Sequence, residues 1–523
     1  MDGFFKTFGF SENPFASTNA DKEPRLATYF VPPPYFSSVK GDSADPQSNV
    51  IFAPRGAGKT AQKVMLEEFA EGEYSQPVFC VTYDQFRSFN KARISQLGVD
   101  WHLTQIIQRL LAGIVALIEE GHGTNLDGSQ KKVLNYCFQR YLGALTQAEA
   151  NKVFSSVKSN KEKTGDFISK NKETLVGILA AIAAKWGISP PDIDSVHREL
   201  REESITDIFQ RLIRIITSFG FSSVYILVDR VDEISELGND ADAASRFIVP
   251  LVTNLHLLEC DDVAFKFFLW DRMEDFVSAA GFRPDRIPIY RLNWSPAELE
   301  DMLSRRLAAY SEGRITNLND LVEVGVTLNI HKLICLLSIG SPRDVIRLAQ
   351  RIVDEHTRVV DDGSPLTMRS IEAGIQKFSR ERCMELYGSK TEEISKIGMV
   401  SFTIGDLAND IFRISHQAAR NKIQNYMSVG AIFKSGEIEN PGNRPLHQYS
   451  VADPRLAVLV LSSYSLEEVL SAVCFMCRRC DELLVREGPN VACHECALEF
   501  GVGEEDTVLT HCQSTDAEPR LDL

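Results

Sequence analysis

Short apolar runs that end in polar or acidic residues alternate with helical periodicity along the first part of the chain. Val50-Ile51-Phe52 reads as a buried strand, and "PVFCVTYDQF" (77–86) as a second. Val224 to Val228 within "SSVYILVDRVDEI", the start of "VAFKFFLWDRMEDF" (263–276) and "IPIYRL" supply three more. Between them "AQKVMLEEFAEG", "WHLTQIIQRLLAGIVALIEEG" (101–121) and "SITDIFQRLIRIITSFGF" (204–221) carry apolar residues at helical spacing. Strands that are apolar throughout and separated by helices predict a parallel sheet covered on both faces, an α/β core over residues 50–290. The polar stretch around "SSVKSNKEKTGDF", closed by "GISPPDIDS", reads as a largely helical insertion over about 122–203. A partner-contacting element and a decorative lid account for it equally well.

Beyond the core the rhythm changes. "IGSPRDVIRLAQRIVDEH" (339–356) is a turn entering an amphipathic helix, and "TMRSIEAGIQKFSRERCMELYG" (367–388) is another, so 291–384 reads as a helical lid. "TIGDLANDIF" and "SHQAARNKIQNYMSVGAIF" then give two helices at a tight connection, followed by a polar hairpin, "KSGEIENPGNRPLHQYSV". That order predicts a winged helix-turn-helix over 385–470, with His416, Gln417, Arg420, Asn421 and Gln424 on the presented face of its second helix. Residues 471–523 form a cysteine-rich, acidic tail.

Composition narrows this picture only modestly. A chain of 523 residues, 44% hydrophobic and 24% charged, is an ordinary globular protein of several domains. No apolar run is long enough to span a bilayer, "LVGILAAIAAKWGI" (175–188) reading instead as a buried helix, so no membrane partner is expected. The opening "MDGFFKTFGFSENPF" lacks the marks of a secretory signal, and a cytoplasmic address is expected. The net charge of −16 argues against a basic surface that wraps nucleic acid, while leaving room for a local patch. Over 385–470 eight Lys/Arg face ten Asp/Glu, which weakens a duplex-reading role for the winged helix.

The candidate chemistry begins at "APRGAGKT", Ala53-Pro54-Arg55-Gly56-Ala57-Gly58-Lys59-Thr60, with Ala61 opening the helix proper. It is a phosphate-binding loop with alanine in the first glycine's place. Such loops converge backbone N–H groups on phosphates at a helix N-terminus, with the lysine as point charge and the hydroxyl on Mg²⁺. Asp229, at the end of the third strand, is the matching Mg²⁺ carboxylate, and Asp232 and Glu233 are candidates to activate water. Asp271 ends the next strand. Arg283 and Arg286 precede the last one, and Arg343 opens a lid helix, where each could meet transition-state or γ-phosphate charge. Surface arginines are the bland alternative.

Six of the eleven cysteines crowd into the last fifty residues; Cys80, Cys137, Cys260, Cys335 and Cys383 read as reduced core residues. Cys477-x₂-Cys480 and Cys493-x₂-Cys496 have zinc-ribbon spacing, each knuckle turning two thiolates towards one ion. Four thiolates with no open position predict a structural Zn²⁺. Cys474, His494, His511 and Cys512 are alternatives, Cys474 in place of Cys480 first among them. "DELLVREGPNVA" between the knuckles reads as a short hairpin turning at Gly488-Pro489-Asn490. A net charge of −7 over 471–523 points this tail to a protein partner.

Phosphate loop, acidic strand end, arginines before the last strand and the "GSPRDVIRL" lid, in this order, resemble the AAA+ ATPases. The similarity is greatest to the branch shared by origin-recognition and initiator ATPases and the STAND signalling ATPases, "VDRVDEI" looking like the D-x-x-D-E form of the latter. The resemblance implies that residues 1–49 are an adenine-side segment, with Asn13, Pro14 and Phe15 near the base. Departures are Ala53, Arg230 where many relatives place a catalytic Glu, and Asp271 for a neutral sensor. The resemblance implies ATP and Mg²⁺ as ligands and a homo-oligomer that regulates a protein effector on another chain, with phage defence as a setting by analogy. The alternative is an initiator or loader that binds DNA through the winged helix.

Overall fold

A computed structural model describes residues 3–501, apart from 73–76, 120, 123–125, 144, 156–202, 361–362, 442–443, 481–482, 487–489 and 494–495. The chain divides into two compact units, Pro32–Asn293 and Met1–Val31 with Trp294–Leu523.

In the first unit, strands β1 (Asn49–Ala53), β2 (Val78–Tyr83), β3 (Ser223–Val228), β4 (Val263–Trp270) and β5 (Ile289–Arg291) form the expected parallel sheet, in the order β2-β3-β4-β1-β5. Every residue of β1, β3 and β4 is buried, as strands covered on both faces must be. Around them lie α1 (Lys59–Gly72), α2 (Val99–Glu119), α3 (Ile205–Ser218) and α4 (Ala241–Val252). The apolar stripes of α2 and α3 share one core with Val50, Phe52, Ile226 and Phe267. Gly113 lets α2 lie directly on β2, since a Cβ there would come within 2.3 Å of the Phe79 ring. By length and composition α2 would suit a membrane, but Leu103, Ile107, Leu110, Leu111 and Ile114 are fully buried, which makes it a core helix.

Chain order and sheet order differ in a way that builds a site. From β1 the chain crosses to the far edge, and β4 later inserts between β1 and β3. Register places Ala53 beside Trp270, Val228 beside Phe267 and Tyr83 beside Val228. The residues that follow β1, β2, β3 and β4 therefore emerge along one edge, where open parallel sheets hold ligands. Of the expected insertion, the described parts include helices Gly128–Cys137 and Gln147–Ser155; "LVGILAAIAAKWGI" lies outside the described residues.

The second unit carries α5 (Pro296–Ser311), α6 (Ile330–Leu337), α7 (Pro342–Val359) and α8 (Met368–Tyr387). Ser295 and Glu298 close a capping box on α5. A three-stranded antiparallel sheet follows, β6 (Ser401–Thr403), β7 (Ile432–Ile438) and β8 (Leu446–Val451) in the order β6-β8-β7, with α9 (His416–Met427) before its wing. This is the winged helix, although the first of its two expected helices is only a π-helical turn at Asp406–Ile411. Helices α10 (Pro454–Val460) and α11 (Leu466–Val473) lead to the tail.

The tail corrects one expectation. "DELLVREGPNVA" is not a hairpin. Strand β10 (Leu483–Val485) pairs with β9 (Cys474–Met476), and β11 (Asn490–Ala492) with β12 (Glu499–Gly501). Each C-x₂-C knuckle is itself the bend of a two-stranded ribbon, so the segment between knuckles joins two hairpins instead of forming one.

Candidate functional site

At the end of β1, Ala53 is an extended, fully buried strand residue hydrogen-bonded beside Trp270, which explains why no glycine is needed there. The glycines that matter are Gly56 (φ 87°) and Gly58 (φ 100°), whose left-handed backbone would strain any side chain. The loop runs through Ala57 into α1, which begins at Lys59, with Thr60 and Ala61 in its first turn. The Lys59 ammonium is turned back on the loop, donating to the carbonyls of Ala53 (2.9 Å) and Pro54 (3.2 Å). Burial lowers its pKa, opposed by the carboxylates of Asp232, Asp229 and Asp271. A bound polyanion would supply the compensating charge that these two carbonyls only partly provide.

Thr60 and Asp229, distant in sequence, meet. The Thr60 hydroxyl donates to Asp229 Oδ2 at 2.9 Å, and the Arg230 N–H donates to Oδ1 at 2.9 Å. Burial raises the Asp229 pKa, against the pull of Lys63, Thr60 and Arg230. A hydroxyl and a carboxylate oxygen side by side at the mouth of a phosphate loop form a hard-oxygen pair of the kind Mg²⁺ takes, directly or through water. Arg230 adopts a left-handed conformation (φ 61°), a strained backbone of the sort that accumulates at functional sites.

Sequence reading missed two members of this group. Lys63, one turn after Lys59 and fully buried, places its ammonium 3.4 Å from Asp84 and 3.8 Å from Asp229. Asp84 follows β2 as Asp229 follows β3, and those strands are neighbours. An acid directly after each of two buried parallel strands is a signal the sequence does carry.

The two candidate bases differ. Asp232 is buried and clasped by Arg55, whose Nε donates to Oδ2 (2.7 Å) and whose Nη2 donates to the Asp232 carbonyl (2.6 Å). The Glu233 side chain is half exposed, with Arg230 Nε 3.8 Å away. Asp271 is exposed, and its Oδ1 accepts from the Arg272 N–H. Arg283 pairs with Asp285 and Arg286 with Glu259, all on the surface.

In the other unit, Arg343 is exposed near the start of α7. Asn13 donates to Gln350 and its Oδ1 caps the Phe15 N–H, the Pro14 carbonyl accepts from Arg306, and Phe15 is buried against Phe5. His416, Gln417, Arg420, Asn421 and Gln424 are all exposed on α9, a helix without a single acidic residue.

Cys477, Cys480, Cys493 and Cys496 converge, their four sulfurs within 4.8 Å of one another. The Cys477–Cys496 and Cys480–Cys493 sulfurs are each 3.5 Å apart. Tetrahedral Zn–S bonds of about 2.3 Å imply S···S separations of roughly 3.8 Å, so the cage fits Zn²⁺. Burial raises the Cys477 pKa, but N–H groups of Arg479 and Cys480 and the neighbouring thiols outweigh it and bring it to about 7. Cys474 is a strand residue paired with Val485, outside the cage, and His494, His511 and Cys512 lie outside the described residues.

Together, the sheet order, the loop after β1, the acid after β3, the helical lid, the winged helix and the cysteine cage define an α/β P-loop NTPase fold of the AAA+-like kind. Among solved structures, the chain is similar to the ORC1 protein of Aeropyrum pernix in complex with DNA, at 10% identity and a TM-score of 0.34, covering 88% of this chain and 99% of that one. It is similar to the Aeropyrum pernix ORC2 protein in ADPNP–ADP complexes (11%, TM-score 0.37, 86% and 98%). It is also similar to CDC6P from Pyrobaculum aerophilum (11%, TM-score 0.32, 88% and 99%). No protein-family model matches the sequence. No curated protein matches it either.

Proposed function

We propose that the protein is a Mg²⁺-dependent ATP-binding and ATP-hydrolysing switch that regulates assembly with protein partners. The observation that carries this reading is the Thr60–Asp229 hydrogen bond at the mouth of a glycine loop whose lysine donates to the loop's own carbonyls. When bound, Mg²⁺ would neutralise phosphate charge; Thr60 and Asp229 would hold it, and Lys59 with the loop N–H groups would hold the phosphates. Glu233 is the accessible candidate for orienting the attacking water, since Asp232 is engaged by Arg55. Zn²⁺ held by the four cysteines stabilises the tail structurally. Homo-oligomerisation, a client on another chain and a setting in phage defence extend the AAA+/STAND resemblance and belong to the same proposal.

Phosphate release tests it. Wild-type protein with Mg²⁺ and ATP turns over, Lys59→Ala loses binding and turnover, and Glu233→Gln keeps binding while turnover falls about 100-fold. If Lys59→Ala loses binding while Glu233→Gln changes nothing, the chain is a nucleotide-holding scaffold instead.

A second reading, a DNA-engaging loader, is favoured by one observation: the exposed face of α9 carries Arg420, Gln417, Asn421 and Gln424 with no acid among them. Its test is salt-dependent duplex binding with ATP present, abolished by Arg420→Ala; no binding at moderate salt removes it.

A further inference from the structure

The arginine within the phosphate loop is the least conventional part of the site. Arg55 precedes Gly56, yet its guanidinium reaches across the end of β4 to the turn after β3. All three nitrogens are engaged: Nε and Nη2 on Asp232, and Nη1 on Asn239 Oδ1 at 2.8 Å. The guanidinium also stacks over the Trp270 ring, 4.3 Å from its centroid, while Arg272 approaches the same ring at 5.4 Å. The two ends of the clasp are unequal. The Asp232 side chain is 4% exposed and the Arg55 side chain 32%, so a ligand can approach the cation but not the carboxylate.

The geometry points to Arg55 as a residue that senses the terminal phosphate in cis. The inference rests on the nucleotide reading above and deepens it. Arg55 closes the loop onto Asp232. A triphosphate anchored by Lys59 brings a terminal group with more negative charge and three acceptor oxygens to the same loop, and guanidinium pairs bidentately with phosphate. A diphosphate carries its terminal group at the β position, one phosphate short of that reach. Exchange of Arg55 from carboxylate to phosphate frees Asp232 to accept a hydrogen bond from water and takes the nearer of two cations off the Trp270 ring, leaving Arg272. The loop would thus distinguish triphosphate from diphosphate without an arginine from a neighbouring copy.

The test titrates the full chain with Mg²⁺ and either ADP or AMP-PNP, following tryptophan emission and measuring both affinities. Wild type prefers AMP-PNP by at least about tenfold, the effect of one charge-assisted contact. Its emission changes with AMP-PNP and not with ADP, and Trp270→Phe abolishes that change. Arg55→Ala brings the affinity ratio to about one, and Arg55→Lys, which keeps charge without the fork, lies between. Because Arg55→Ala leaves a buried carboxylate unpaired, the double variant Arg55→Met/Asp232→Asn removes the clasp without that strain and gives the same ratio. An unchanged ratio in the double variant overturns the inference and leaves the phosphate loop intact. Wild type that binds neither nucleotide overturns both.

Discussion

Two clusters of buried charge, one in each unit, show the difference between charge closed in on itself and charge left open on one flank. In the second unit, Arg306 and Glu23 are each 2% exposed at the side chain and 2.8 Å apart. Arg306 also donates to the carbonyls of Pro14 and Ser17 and to the Tyr29 hydroxyl, while Tyr310 donates to Glu23. Every strong group is answered by another, and the cluster pins the N-terminal segment to α5. In the first unit, Lys59 donates to two loop carbonyls, Lys63 stands between two carboxylates, and Arg55 keeps an exposed flank. The saturated cluster has nothing left to offer a ligand. The other keeps one guanidinium flank open to solvent beside the phosphate loop, and with it a route in.

Breaking the saturated cluster should give the largest effect. Arg306→Met strands a buried carboxylate and costs about 3–5 kcal/mol, measured by urea unfolding. Adding Glu23→Gln should recover part of that loss; a double variant no better than the single would mean that packing, not charge, dominates there. Next in size is the cysteine cage, which ties together the two hairpins of the tail. Purified protein should hold one zinc per chain, and Cys493→Ser or a strong chelator should release it and make the tail protease-sensitive. Full zinc retention in Cys493→Ser would remove the cage.

A third prediction uses a buried lysine outside both clusters. Lys266, in the middle of β4, donates to the Gln47 carbonyl and lies over the Tyr225 ring, and burial lowers its pKa from 10.5 to about 7. The native state therefore holds fewer protons than the unfolded chain between about pH 7 and 10.5, so this group makes stability rise with pH across that window. Lys266→Met should raise the melting temperature by a few degrees at pH 7 and progressively less towards pH 10. The smallest effect concerns the surface arginines. Arg283→Ala breaks an exposed pair with Asp285 and should leave the urea unfolding midpoint unchanged. Any loss of turnover in that variant then reports a role in a neighbouring copy, not a folding defect.

These contrasts also mark what the sequence makes legible. Local chemistry is readable: glycines at 56 and 58 foretell a left-handed loop, apolar runs foretell strands, and C-x₂-C spacing foretells a cage. Order in space is less so. Nothing in the chain says that β4 will insert between β1 and β3, and the Arg55–Asp232 clasp joins residues 177 apart. Lys63 shares its helix with Lys59, Thr60 and Glu67, and that spacing does not announce Asp84 and Asp229 as its partners. The tail misleads for a simpler reason: a turn-like Gly-Pro-Asn invites a hairpin, but a thiolate knuckle bends the chain just as well, and two knuckles already supply both bends.

Calorimetric titration of ATP, with and without magnesium, into wild-type and Asp229→Asn protein decides whether Asp229 serves a magnesium–nucleotide site. The expected result is one site per chain, a magnesium-dependent gain of at least about tenfold in wild type, and loss of that gain alone in Asp229→Asn. Absence of binding heat in wild type, or an Asp229→Asn chain whose magnesium-dependent gain is undiminished, would contradict it.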